Sequence, residues 1–445
     1  MMLNSKPQFR QLMTASLLAV LLFAQSAYAG NDDDDEDEEE DEDVTEVVAA
    51  PTASKPDDDE DEDDEDAGEN KLTQIGAVQN KLRQSRKQTS FLGKITDDYS
   101  DFTSRMEEDY GLSWSFSLSY RQRWYKPSNI GTSAQTLFWP ALNWDIFDSE
   151  TFGAGSFQYL YYGERRSKAK ISVDRRFRTL SGEIPDEASQ FSQITYTHTL
   201  PGERFAIAVG QFSFFNFDSN DYLADQQINF VNSIFSSNGS SSYAATGIGA
   251  YLQFNVTKTL QILIGEQSVN KEDSGKRPNS GFSNSPYSHL GYIQWKPQFK
   301  NLGAAQYSLT LYDVPAMEDK TASKGWSLNA MQNISDSWAI FARANASQDQ
   351  ANNSKRSYAL GVALNNPFGR DAGDQIGLAL GSLNQKAQLL NRPLEHTQDT
   401  FEAYCTINLL PGLFLTPDIQ YIHNPAFAPQ RSHASIFSLR TMLVF

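Results

Sequence analysis

The feature that most constrains this chain is a hydrophobic pattern that repeats every two residues from Gly111 onward. In the first such stretch the apolar side chains occupy even positions, from Leu112 to Trp124. The odd positions hold serine or arginine, including Arg121 and Arg123. A period of two is typical of a β-strand with one apolar and one polar face. The fold is therefore predicted to consist mainly of strands.

Similar stretches recur to the end of the chain, and we predict sixteen strands of about ten residues each. They cover residues 111–124, 135–147, 155–163, 190–200, 203–212, 246–255, 259–268, 288–296, 304–313, 324–332, 336–346, 356–366, 374–385, 398–409, 412–422 and 435–445.

The connections between these strands alternate in length. Short ones such as Pro201–Glu203 and Pro411–Gly412 alternate with long polar links at 164–189, 213–245, 269–287 and 386–397. An even number of strands with short turns at one end and long loops at the other is typical of an outer-membrane β-barrel. A soluble all-β protein is the alternative, but it does not account for the regular difference in loop length.

The amino terminus has the pattern of a secretory signal peptide, assigned to residues 1–29. Lys6 and Arg10 precede an apolar run from Leu12 to Phe23, and small residues follow at Ala27 and Ala29. The apolar run is shorter than the roughly 20 residues that a spanning helix needs. We therefore expect the mature protein to leave the cytoplasm without a transmembrane helix.

An acidic tract at residues 30–70 follows, and we expect it to be disordered because it has almost no apolar residues to bury. It holds 24 of the 56 acidic residues, which leaves 32 acids against 34 Lys and Arg in residues 70–445. The strongly negative total therefore does not describe the folded part. That part has no basic excess of the kind that nucleic-acid binding requires.

Residues 71–110 are predicted to form a short helical periplasmic segment, because Leu72, Ile75, Val78 and Leu82 have helical spacing. The barrel is assigned to residues 111–445. Its last strand alternates from Phe437 to the terminal Phe445. Hydrocarbon does not tolerate unpaired backbone groups, so the last strand has to pair with the first.

Several short motifs resemble a known family of porins. The segment Leu415–Pro425 resembles the carboxy-terminal signature of the carbohydrate-selective porins of the OprB type, and Asn216–Tyr222, Phe230–Ser233 and Glu402–Tyr404 are similar to other pieces of that family. The resemblance implies a sixteen-stranded barrel in the outer membrane of a Gram-negative bacterium that passes sugars.

Strand parity predicts which side chains face the lumen. The candidate solute-binding residues are Arg121, Arg123, Arg343, Glu402, Tyr404, Asp418, Gln420 and Arg440. Most lie on the last three strands and the first, which are neighbours in a closed wall. They would form one strip of forked donors and carboxylate acceptors suited to hydroxyl-rich solutes. The alternative is that these charges pair with each other and stiffen the wall.

The longest link, Ser213 to Ala245, is predicted to fold inward and narrow the channel. Its candidate residues are Phe217, Asp218, Asp221 and Tyr222. The aromatic rings would stack on sugar rings and the acids would bond to hydroxyl groups. Ordinary packing of a surface loop is the alternative.

The predicted function is passive diffusion of small hydrophilic solutes, with carbohydrates as the first candidate. An anion-selective porin is one alternative, because the loop from Arg165 to Arg178 is basic. A barrel for export or adhesion through its acidic arm is another. The histidine spacing and the lack of a nucleophile motif predict no enzyme, metal or cofactor. Lipopolysaccharide and membrane lipid are expected partners, and both a monomer and a trimer stay open.

Overall fold

The computed structural model describes residues 91–126, 132–166, 189–223, 226–238, 240, 246–269, 286–300, 302–316, 322–348, 354–370, 372–389, 392–425 and 431–444. The predicted signal peptide, the acidic tract, the first half of the predicted helical segment and Phe445 lie outside these ranges. So does most of the basic loop that follows Arg166. Within the described ranges, no helix is both long and apolar enough to cross a membrane.

The described chain begins with helix α1, Phe91–Tyr110, and continues as sixteen wall strands. The strands are β1 Leu112–Lys126, β2 Thr132–Ser149, β3 Gly153–Arg166, β4 Ser189–Thr199, β5 Phe205–Phe212, β6 Gly247–Asn255, β7 Leu260–Ser268, β8 Tyr287–Trp295, β9 Gly303–Val314, β10 Ser323–Asn333, β11 Trp338–Ser347, β12 Ser354–Asn365, β13 Gln375–Leu389, β14 Arg392–Leu410, β15 Leu413–His423 and β16 His433–Val444. The two residues Gln298–Phe299 pair with β9, as β8 does, and so continue β8. The predicted sixteen-stranded fold is confirmed.

The wall is a closed antiparallel barrel. Each strand pairs with the next one along the chain, and β1 pairs with both β2 and β16. In the closing ladder Arg121 lies opposite Arg440, and Trp124 lies opposite Phe437. Every strand therefore has a partner on both sides, which satisfies the backbone groups that hydrocarbon cannot.

The two faces of the wall differ as the alternation predicts. On β1, Ser117, Arg121 and Arg123 are at most 2% exposed, whereas Tyr120 and Trp124 are each 38% exposed. The Trp124 ring also contacts that of Phe437 on the outer face, with 5.3 Å between centroids. On this part of β1 the serines and arginines thus point inward, and Tyr120 and Trp124 point outward.

The predicted long link at 386–397 is wrong. Strand β13 extends to Leu389 and β14 begins at Arg392, with the ladder continuing as far as the Leu389–Arg392 pair. The sequence of this hairpin is polar, so it resembles a loop, but backbone pairing does not require apolar side chains. The two strands are therefore the longest hairpin of the wall.

The short turn at Pro411–Gly412 depends on its glycine. Gly412 has a φ of +76°, a left-handed conformation that residues with a Cβ rarely adopt. A Cβ there would also run into the carbonyl oxygen of Val444 on β16. The turn therefore lets the last two hairpins approach each other closely.

Helix α1 packs against the start of β1. The Trp114 Nε1–H donates to the Tyr99 hydroxyl at 2.9 Å, and the Phe102 ring meets Trp114 edge-on with centroids 5.8 Å apart. The helix ends at Tyr110, and the N–H of the following Gly111 donates to the Glu107 carbonyl at 2.8 Å. The wall thus begins directly after a helix that is fixed to it.

We expect a charge on the outer face to destabilise the barrel. Ile419 lies near the middle of β15 with 51% of its surface exposed. The substitution Ile419→Arg should cost about 2–4 kcal/mol of unfolding free energy, because it places a cation near the bilayer midplane. Urea unfolding in lipid vesicles measures this cost. Phe152→Arg in the turn between β2 and β3 is the control, and an equal loss in both variants would contradict the assignment of the outer face.

Candidate solute-binding site

The described part of the link between β5 and β6 (residues 213–223, 226–238, 240 and 246), which we call the inner loop, lies inside the barrel. Its hydrogen bonds run to inner side chains of ten strands, β1, β7 and β9 to β16. Several large apolar side chains of the loop are fully buried, among them Phe214, Leu223 and Phe235. The loop is therefore packed and hydrogen-bonded to most of the wall.

The inner loop begins as a short 3₁₀ helix, Phe214–Phe217, held by aromatic contacts. The Phe217 ring lies 5.3 Å from that of Tyr251 and 6.1 Å from that of Tyr292, measured between centroids. The Phe214 N–H donates to Gln267 Oε1 at 3.1 Å. These contacts fix the loop against the strands that follow it in the chain.

Asp218 anchors the next part of the loop. Its carboxylate accepts hydrogen bonds from Asn238 at 2.6 Å and from Ser327 and Asn329 at 2.7 Å each. Asn329 in turn accepts from the Arg343 Nε–H at 2.7 Å. The amide of Asn329 thus connects a buried anion to a buried cation, which lowers the cost of burying both.

Arg343 and Arg440 of the wall each bind three main-chain carbonyls of the inner loop. Arg343 donates to the carbonyls of Asp218 at 3.0 Å and Phe235 at 3.1 Å, and also to that of Leu223. Arg440 donates to the carbonyls of Gln226, Ile228 and Asn229 at 2.6, 2.9 and 3.1 Å. The rigid fork of a guanidinium group suits such multiple acceptors.

Glu402 binds the same loop through main-chain N–H groups. Its carboxylate accepts from Val231, and from Asn232 at 2.9 Å. The Asn232 side chain accepts from the Ile234 N–H at 3.1 Å and caps helix α2, Ser233–Ser236. Its amide donates to Gln420 Oε1 at 3.0 Å. Glu402 and Gln420 together therefore fix the start of α2.

The wall opposite α2 is made of small residues. The inner face of β12 and β13 carries Ala359, Gly361, Ala363, Gly377, Ala379 and Gly381. A Cβ at Gly381 would collide with Ile234 and Phe235 of the loop. The space that these strands leave free is thus the space that the inner loop fills.

The structure places all eight predicted lumen residues on the inner face, and each is at most 3% exposed. Arg343, Glu402, Tyr404, Gln420 and Arg440 each contact the inner loop. Arg121 donates to the Gln226 carbonyl at 3.3 Å and to Gln135, and Asp418 accepts from Ser438 at 2.8 Å. The strip exists as a surface that holds the loop, and its role in binding solutes stays a prediction.

The four loop candidates divide into two groups. Phe217 and Asp218 are buried, and so is Tyr222, whose ring stacks on Phe341 at 5.3 Å. Asp221 is exposed. Of the four, Asp221 is therefore the side chain that remains accessible to a solute.

Sequence reasoning missed the loop atoms that the wall arginines bind. These are main-chain carbonyls of Gln226, Ile228 and Asn229, which no side-chain pattern marks. The sequence also did not indicate a hydrogen-bond network of three side chains, in which Gln135 accepts from Arg121 and donates to Glu164. The parity of β3 was a usable signal for Glu164, since it lies in phase with the buried Tyr162 and Gln158.

Comparison with known proteins agrees with this geometry. The sequence profile described as "Carbohydrate-selective porin, OprB family" matches residues 149–312 and 279–445. The chain belongs to the OprB family of carbohydrate-selective porins. It is an outer-membrane porin of the Gram-negative type, and its family and fold are those of a channel rather than an enzyme.

Relatives of the OprB-family chain include Porin AaxA of Chlamydia caviae, 30% identical over 351 residues, which covers 75% of this chain and 77% of the relative. Porin AaxA of Chlamydia felis is 29% identical over 349 residues, covering 75% and 78%. The high-pH structure of Pseudomonas putida OprB shares 13% identity and superposes with a TM-score of 0.64, covering 79% of this chain and 98% of that one. At that identity the structural likeness concerns the fold alone.

We expect loss of the Arg440 side chain to loosen the inner loop. Arg440→Met keeps the apolar stem but removes the donor that the loop carbonyls of Gln226, Ile228 and Asn229 share, at a cost of about 1–3 kcal/mol. Thermal unfolding should shift downward and single-channel current should become noisier. Arg204→Met, at an exposed arginine between β4 and β5, is the control. Unchanged stability and unchanged noise would show that the guanidinium does not hold the loop.

Proposed function

We propose that this porin lets neutral carbohydrates diffuse through a passage between the inner loop and the inner face of β3 and β4. Membership of a carbohydrate-selective family supports sugars as the solutes. The hydrogen bonds and ring contacts described for the inner loop support the position, because they run to β1 and to β6 through β16. The side of the loop that is not packed would then face β3 and β4.

The chemistry of these surfaces suits hydroxyl-rich solutes. On the wall, Gln158 Oε1 accepts from Thr195 at 2.9 Å and from Thr197 at 3.2 Å, and Gln193 donates to Thr195 at 2.9 Å. On the loop, the partly exposed residues are neutral polar ones such as Gln226, Ser233, Ser236 and Ser237. Amides and hydroxyls both donate and accept, as sugar hydroxyls do. The wall side chains are at most 5% exposed and bond to one another, so the partly exposed neutral surface of the loop is the observation that carries the proposal.

Anion selectivity has less support. The guanidinium groups of Arg343 and Arg440 are buried and donate to loop carbonyls, so their hydrogen-bonding capacity is directed at the protein. The carboxylates of Asp218 and Glu402 likewise accept hydrogen bonds from protein groups. The lumenal charges therefore stabilise the loop, which favours a pore for uncharged solutes. The proposal also includes contact of the outer loops with lipopolysaccharide. It is compatible with both a monomer and a trimer.

Liposome swelling tests the solute class directly. We expect neutral mono- and disaccharides to enter protein-containing liposomes faster than organic anions of similar size, such as gluconate. Liposomes without protein give the background rate. Faster entry of the anion would reject the carbohydrate proposal and favour an anion-selective porin.

A single substitution tests the position of the passage. Gln158→Met removes the acceptor on which Thr195 and Thr197 converge, while it keeps a side chain of similar length. We expect block of the single-channel current by sugars to weaken roughly fivefold, since one hydrogen bond is worth about 1 kcal/mol.

Gln122→Met is the matched control, because this glutamine lies near the outer end of β1 on the outward face. If both variants keep the block of the parent protein, the passage does not run past β3 and β4. Swelling by sugars in the parent protein would still establish the solute class in that case.

A further inference from the structure

A groove of about 820 Å³ lies at the extracellular ends of β7 to β12, where the long loops join the wall. Its outward floor combines large and small residues on neighbouring strands. Ile264 pairs with Gly291, Gly291 with Leu311, Leu311 with Trp326, and Trp326 with Ala346. A Cβ at Gly291 would meet nothing within 4 Å, so the notch there is open space. The three large side chains are 40–57% exposed.

The rim of this groove is basic. Lys324, Lys355 and Arg356 are its permanent cations, and Asp313 is its one acidic residue among the described ones. Asp313 binds the Lys324 Nζ at 2.7 Å. Arg356 is exposed on the adjoining strand β12 and lies opposite Ala346. The groove therefore combines an apolar floor with cations directly above it.

We infer that this groove is a docking site for lipopolysaccharide, with acyl chains over Gly291 and Ala346 and a lipid phosphate against Lys324 and Arg356. The long loops place these strand ends in the outer leaflet, where that lipid is the neighbour of the wall. The basic rim complements a ligand whose phosphates lie next to its acyl chains. A second copy of this chain would complement the rim only if its outer face carried a carboxylate at the level of Lys324 and Arg356. The basic rim therefore favours lipopolysaccharide over a second copy as the occupant of the groove.

The test uses the full-length protein in detergent, freed of lipid, and titrated with purified phosphorylated lipid A while the bound lipid is counted by native mass spectrometry. The double variant Lys324→Glu with Arg356→Glu should bind roughly tenfold more weakly or worse, because both cations that face the lipid phosphate become anions. Gly291→Phe should weaken binding as well by filling the notch, and the open space at its Cβ leaves the fold intact.

Lys126→Glu, which reverses an exposed charge at the extracellular end of β1, is the control and should bind like the parent protein. Lipid A without phosphate should bind the parent protein as weakly as phosphorylated lipid A binds the double variant. Equal binding by all variants would overturn the inference. Tighter binding of phosphatidylglycerol than of lipid A would overturn it too, and so would a change in oligomeric state with unchanged lipid binding.

Discussion

The closing ladder between β1 and β16 is the interaction on which the rest of this structure depends. An open sheet of sixteen strands would leave two edges of unpaired N–H and C=O groups in hydrocarbon, each costing several kcal/mol. Closure removes both edges and fixes the parity of every strand, because each register is tied to the next. Parity then determines which side chains point inward, among them Arg121, Arg343 and Glu402, and which point to lipid, among them Trp124 and Phe437.

Closure also creates an interior that polar side chains alone would leave full of water, and the inner loop occupies much of it. The loop has many main-chain groups with no partner in a strand or a long helix. The wall supplies those partners, with guanidinium groups for carbonyls and the Glu402 carboxylate for N–H groups. Buried charge in this porin thus takes the place of the hydrogen bonds that regular secondary structure would otherwise provide.

The fold was predictable from the sequence because a period of two is a local signal. Each of the sixteen predicted strands has an observed counterpart, and the phase that put Arg121 inward also held for Arg343 and Asp418. The error at 386–397 arose because a polar hairpin has no hydrophobic pattern. The site was less predictable. Parity places a side chain on a face, but it does not show that the partner of Arg440 is the carbonyl of Ile228, more than two hundred residues away.

The small residues of β12 and β13 also bear on how such a channel changes over evolution. Because the wall at Gly381 is complementary in shape to Ile234 and Phe235 of the loop, wall and loop are a matched pair. A loop taken from another porin would not be complementary in shape to this wall and would not pack against it. New solute preferences are therefore accessible mainly through the few loop positions that remain partly exposed, such as Asp221 and Ser233, while the buried ones are constrained to change together with the wall.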